Sequence, residues 1–130
     1  MRKYKFRYVF KHKKDGDCQY LFFTIEEIEN GYAKEMIYAM KQDGYTLVDR
    51  NEFAGLKDKN VKEIYEGDIV IAWSAGVKAI CEVKWGRGRA GFFLYRKPNI
   101  AWNLSGGGKD YNEENVEVIG NIYEHLHLLE

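Results

Sequence analysis

Residues 62 to 73 read KEIYEGDIVIAW, and the interpretation of this run decides the fold. Glu66, Gly67 and Asp68 stand together just before the apolar series Ile69, Val70, Ile71 and Ala72. Two carboxylates so close invite a catalytic reading. A turn entering a strand accounts for them more simply. Gly67 permits a backbone that other residues resist, and Asp68 can accept hydrogen bonds from neighbouring N–H groups. Ile69 and Ile71 then face one side of the strand, and Val70 and Ala72 the other. Gly55, Gly67 and Asp68 are thus read as structural turn positions, and a small β domain begins here.

Downstream, the strands predicted by pattern are Ile69 to Trp73, Val77 to Trp85, Phe92 to Arg96, Ile100 to Leu104 and Val116 to Tyr123. Glycine-containing turns separate them: WSAGV, GRGRAG and SGGGKD. Five short strands at this spacing predict a small barrel or a strongly bent sheet. The single proline, Pro98, falls at a break between strands, where a missing N–H does least harm.

Upstream, residues 3 to 12 alternate strictly. Tyr4, Phe6, Tyr8 and Phe10 share one face, and Lys3, Lys5, Arg7 and Lys11 the other. Asp15-Gly16 forms the tip of a hairpin whose partner strand is CQYLFFT, residues 18 to 24. Thr24 to Glu27 reads Thr-Ile-Glu-Glu, a capping box, with Phe23 and Ile28 at the positions of a hydrophobic staple. Asn30-Gly31 supplies a stop, so a helix of less than two turns begins at Ile25. From Ala33, the positions Ala33, Met36, Ile37 and Met40 follow helical spacing up to Asp43-Gly44, with an edge strand as the alternative over 33–42. YTLVD, residues 45 to 49, reads as another strand.

The chain has 130 residues, 45% of them hydrophobic and 15% aromatic, enough to build a core. Twenty basic and twenty acidic residues cancel, so net charge gives no argument for nucleic acid or a membrane surface. Residues 1 to 14 nevertheless hold seven Lys or Arg and no acid, and residues 110 to 130 hold six acids and no Lys or Arg. Cys18 and Cys81 have no metal-type spacing and read as reduced, buried thiols of an intracellular protein. No apolar run approaches the roughly 20 residues of a membrane span. The N-terminus has no apolar core of a signal peptide, so a cytoplasmic location is expected.

FAGLKDKNVKEIYEGDIV, residues 53 to 70, closely resembles the signature of the YopX-like proteins of bacteriophages and prophages. VEVIGNIYE, residues 116 to 124, does so too. FTIEEIENG through GYTLVDRNEF resembles the front half of some members. Two departures stand out. Ala54-Gly55-Leu56 replaces the usual Thr-Gly-Leu. Val61 replaces a turn glycine, so either Asn60 takes the left-handed position or the turn differs. The resemblance implies a phage-derived intracellular protein with a compact β-rich C-terminal domain, and it brings no catalytic residues.

Each candidate chemistry has a plain counterpart. A basic, aromatic first strand resembles a single-strand platform, but such a platform needs rings and charges on one face. Here they lie on opposite faces, which leaves core rings and a basic back exposed to solvent. KWGRGRAG, residues 84 to 91, places Arg87 and Arg89 in a glycine-rich turn beside Lys84 and Trp85, with Arg96 and Lys97 near in sequence. These six are the candidate binding residues, able to track a phosphate backbone. SGGGKD fails as a phosphate loop because Asn103 and Asp110 stand where glycine and Ser or Thr are needed. His125 and His127, at i and i+2, would share one face of a strand and read as terminal surface histidines rather than half a zinc site. Neither cysteine sits in an activating context and no serine motif is present, leaving only an enzyme assembled from scattered residues.

The sequence therefore predicts an α+β, mostly β fold. A hairpin with one or two short helices occupies 1–52, and an SH3-like or barrel-like domain occupies 53–130. The expected role is non-enzymatic binding of a protein partner or self-association, with nucleic acid as the alternative. No cofactor, metal or membrane is expected.

Overall fold

Alternation in the first strand builds a sheet with one face under two helices. The computed structural model describes residues 4–74, 76–86, 91–97, 100–103 and 116–130, and the chain divides into two units, Met1–Phe53 and Ala54–Glu130. In the first unit, β1 (Lys5–His12) and β2 (Cys18–Thr24) form an antiparallel hairpin that pairs Phe6 with Phe23 and Tyr8 with Leu21. β3 (Tyr45–Lys57) runs antiparallel along the other side of β1. Phe10 faces Leu47 and Val9 faces Asp49, so Val48 is an extra residue at a bulge. Val48 is exposed accordingly.

The capping box forms as the sequence predicts. Thr24 Oγ1 accepts the Glu27 N–H at 3.3 Å, and Glu27 Oε1 accepts the Thr24 N–H at 2.9 Å. α1 (Ile25–Glu29) follows, and Ile28 packs into the same core as Phe23. α2 (Tyr32–Gln42) is a helix, not an edge strand, started by Gly31 at φ +90°. Its residues Ala33, Met36, Ile37 and Met40 close over Tyr8, Phe10 and Phe23. Tyr8 meets Phe23 edge to face at 5.1 Å.

The basic back of β1 is not left to solvent, and this corrects the sequence expectation. Arg7 is buried, its Nε–H donates to buried Asn51 Oδ1 at 2.9 Å, and its guanidinium lies 5.8 Å from the Tyr20 ring. Val9 on the same face is fully buried. Cross-strand partners from β2 and β3 give the cation an acceptor and a ring, contacts that alternation within one strand does not reveal.

In the second unit the end of β3 neighbours β4 (Glu63–Tyr65). β5 (Asp68–Ser74), β6 (Val77–Gly86), β7 (Gly91–Arg96), β8 (Ile100–Asn103) and β9 (Val116–Asn121) form an antiparallel sheet ordered β8-β7-β6-β5-β9. All five expected strands are present, within two residues at each end. β4 is an addition. Its fully buried Ile64 sits inside a run that reads as the approach to a turn. The core consists of Val70, Ala72, Ala79, Cys81, Val83, Phe92, Leu94 and Val116, together with Ala54 and Ile64. β8 and β9 are the sheet's edges among the described residues.

β9 stops at Asn121, short of the expected Tyr123. The Asn121 side-chain oxygen accepts the N–H groups of Tyr123 at 2.9 Å and Glu124 at 3.0 Å and turns the chain. His125 and His127 therefore do not share a strand face. His127 lies in a 3-10 turn, Leu126–Leu129, and half-buried His125 accepts the Asn121 N–H at Nδ1, 3.2 Å away. Cys81 is buried, whereas Cys18 is only half-buried. The fold is thus α+β and mostly β, with two antiparallel sheets and short helices.

Candidate binding face

Antiparallel register decides which side chains meet. β5 and β6 pair Ile69 with Glu82, Ile71 with Ile80 and Trp73 with Lys78. β6 and β7 pair Lys84 with Phe93 and Glu82 with Tyr95. One face of the sheet therefore carries Trp73, Lys78, Ile80, Glu82, Lys84, Phe93 and Tyr95, while Val70, Ala72, Cys81 and Val83 point to the core.

Cations lie on rings across this face. Lys78 Nζ sits 5.6 Å from the Trp73 centroid and Lys59 Nζ 5.5 Å from it. Lys84 Nζ sits 4.9 Å from the Tyr95 centroid, and Tyr95 meets Phe93 edge to face at 6.1 Å. Two acids share the surface. Glu117 holds Lys59 at 3.4 Å and accepts from Asn60 Nδ2 at 3.5 Å. Burial pushes the Glu82 carboxyl above its usual range, against the pull of the Lys84 ammonium.

A buried carboxylate places Lys59. Asp58 is fully buried, and its Oδ1 accepts the N–H of Asn60 at 2.8 Å and of Lys62 at 2.9 Å. Its Oδ2 accepts the Val118 N–H at 2.8 Å, which ties the turn to β9. The Lys59 N–H donates to Val116 O at 2.9 Å. The tight loop leaves Val61, not Asn60, in the left-handed region at φ +63°.

Of the six candidate binding residues, Lys84 belongs to this face. Trp85, its neighbour, faces the other way, 43% exposed and 5.0 Å edge to face from Phe92. Arg96 donates from Nη1 to Ile80 O at 3.2 Å and borders a shallow hollow of about 370 Å3 with Lys78 and Ala79. Lys97 is exposed in the turn after β7. Arg87 and Arg89 lie outside the described residues, as do Pro98 and SGGGKD. The four described candidates do not converge on one patch. The sequence reading missed Trp73, Lys59 and Lys78. A signal for one pair was present, since a hairpin tip between Ser74 and Val77 sets Trp73 opposite Lys78.

The turn residues take these positions. Gly55 has φ +85° within β3, and Gly67 has φ +89°. The Gly67 N–H donates to Val83 O and its carbonyl accepts the Ile122 N–H, both at 2.9 Å. Buried Asp68 accepts the Tyr65 N–H at 2.8 Å. No group of three His, Cys, Asp or Glu suited to a metal occurs among the described residues. No helix there is long and apolar enough to cross a membrane.

A model of the YopX protein family matches residues 4–130, which takes in both units, the Asp58 turn and the cation-bearing face. The chain belongs to the YopX family. Protein EF1440 from Enterococcus faecalis, a solved structure, is similar at 23% identity over 95% of this chain and 75% of that one, with a TM-score of 0.44. A search of curated proteins finds no match. In this YopX chain the sheet face interleaves lysines and rings, with two acids among them.

Proposed function

We propose that this YopX chain is a non-enzymatic binding module of phage or prophage origin that engages a protein partner in the host cytoplasm through the Trp73–Tyr95 face. The observation that carries this reading is the set of three lysine ammoniums laid on two rings. Rings that already carry lysines are poor stacking platforms for bases, because a base must first displace the cation. Glu117 and Glu82 on the same face also oppose a phosphate backbone. A protein surface offering carboxylates to the lysines and apolar groups to the rings matches both features.

The lysines beside rings favour nucleic acid as the second reading, with Arg87 and Arg89 as its added contacts. The test is a pull-down from host cells with the parent chain and with Trp73→Ala plus Lys78→Glu as baits. A stoichiometric protein held by the parent and lost by the variant supports the reading. If instead the parent binds single-stranded nucleic acid, with affinity falling steeply with salt and weakened by Arg87→Ala with Arg89→Ala, the second reading replaces it. No partner of either kind refutes both.

A further inference from the structure

A second surface lies in the first unit, where α2 crosses the sheet. Tyr8, Ile28, Ala33 and Ile37 floor an open hollow of about 300 Å3, at the lower end of the range for ligand pockets of roughly 300–1,000 Å3. Its rim is formed by Lys34, Tyr38 and Lys41, spaced i, i+4 and i+7 so that they stand on one side of α2. Tyr38 is 65% exposed, a large ring left to solvent on a helix whose Ala33, Met36, Ile37 and Met40 pack onto the core. Arg50 from β3 adds a third cation, its guanidinium 5.9 Å from the ring of Tyr8. None of the residues lining the hollow is acidic.

An apolar floor, a rim of two lysines and a tyrosine without acids, and Arg50 beside Tyr8 together describe an occupant. It must bury a hydrocarbon or aromatic group and carry negative charge at two or three points beside it. A polyanion without an apolar group leaves the floor empty. An apolar group without charge leaves three cations uncompensated. We infer that this hollow docks an acidic peptide segment of a partner protein. One apolar side chain sits on Tyr8, Ile28 and Ile37, and flanking carboxylates meet Lys34, Lys41 and Arg50. The site is independent of the Trp73–Tyr95 face and stands or falls without it.

The test uses the full chain, 15N-labelled, titrated with short synthetic acidic peptides carrying Leu, Ile or Phe at the centre. Two control series replace the acids by lysine, or the central residue by serine. The amide signals of Ala33, Lys34, Ile37, Tyr38 and Lys41 shift saturably with at least one acidic apolar peptide and with neither control. Lys34→Glu with Lys41→Glu alters two exposed positions. It weakens that binding by about tenfold or more and lets the lysine peptides bind instead. Four results overturn the inference: no saturable shift, shifts confined to other residues, equal shifts with the lysine series, or binding unchanged by the double charge reversal. Shifts of the same signals on raising protein concentration without peptide also overturn it, because they assign the hollow to a second copy of the chain.

Discussion

Val61 is the position where this chain works against its own sequence. Its φ of +63° places a β-branched side chain in the left-handed region, at a cost of roughly 1–2 kcal/mol for an L-residue and more with branching. The conformation is imposed from both sides. Asp58 Oδ1 gathers the N–H of Asn60 and of Lys62, and the Val61 N–H donates to Asp58 O at 3.0 Å. The side chain contributes little in return, since it is 67% exposed. Val61→Gly removes the strain but enlarges the unfolded ensemble, an offset of roughly 0.5–1 kcal/mol. The net expectation is stabilisation by about 1 kcal/mol, or about 4–8 °C in melting temperature for a unit of this size. All three tryptophans, Trp73, Trp85 and Trp102, lie in the second unit with Val61, so thermal and urea melts followed by tryptophan fluorescence report on it. Val61→Ala keeps the left-handed penalty without the branch and should fall between parent and glycine. A Val61→Gly protein that melts at or below the parent temperature refutes the reasoning.

Asp58→Ala leaves three backbone N–H donors without their buried acceptor and should cost about 3 kcal/mol in urea unfolding; a loss below about 1 kcal/mol argues that water replaces the carboxylate. Gly67→Val forces a branched residue to φ +89° and should lower stability by about 2 kcal/mol or more, so a thermal melt equal to the parent's contradicts the turn assignment. Burial pushes the Cys81 thiol up to about 11 from 9.0. Its folded pKa lies above the unfolded one, so its contribution is complete below pH 9 and is lost as pH rises through about 11, by at most about 2–3 kcal/mol. Cys81→Ser should flatten that alkaline loss, and a Cys81→Ser pH profile parallel to the parent's contradicts it. At pH 8 a thiol reagent should modify Cys18 in the folded chain and Cys81 only after unfolding; rapid loss of both thiols contradicts the burial.

The legible parts of this fold were those with short-range causes. Thr24, Glu27, Phe23 and Ile28 lie within five residues of one another, and their cap and staple form as the sequence predicts. The five strands of the second sheet are each bounded by turn residues and were readable for the same reason. What escaped was set by distant partners. Asp58 reaches Val118, sixty positions away, and Arg7 reaches Asn51 across a strand pair. Neither pairing leaves a trace in local periodicity. The candidate binding residues are neighbours in sequence around a glycine-rich turn. In a strand, neighbours such as Lys84 and Trp85 point to opposite faces, so nearness in sequence selects against a shared surface.

The same geometry explains why stability and surface charge are coupled at one short loop. Asp58 is buried and Lys59 is partly exposed, yet they are adjacent, and the clamp made by one fixes the reach of the other. Lys59 Nζ lies over Trp73 because its own N–H is held by Val116 O and its ammonium by Glu117 on the same strand, β9. Trp73 receives its other cation from Lys78, across the hairpin. One indole thus gathers charge from a turn that precedes it by fourteen positions and from a strand that follows it by five. Removing the Lys59 side chain leaves the backbone bond to Val116 and the Asp58 clamp in place, whereas removing Asp58 disturbs both. The cationic tip can therefore vary without loss of the turn, while the buried carboxylate beneath it is fixed by three backbone donors. On this argument the charge of the face resides in Lys59, Lys78 and Lys84, and the shape of its turn resides in Asp58.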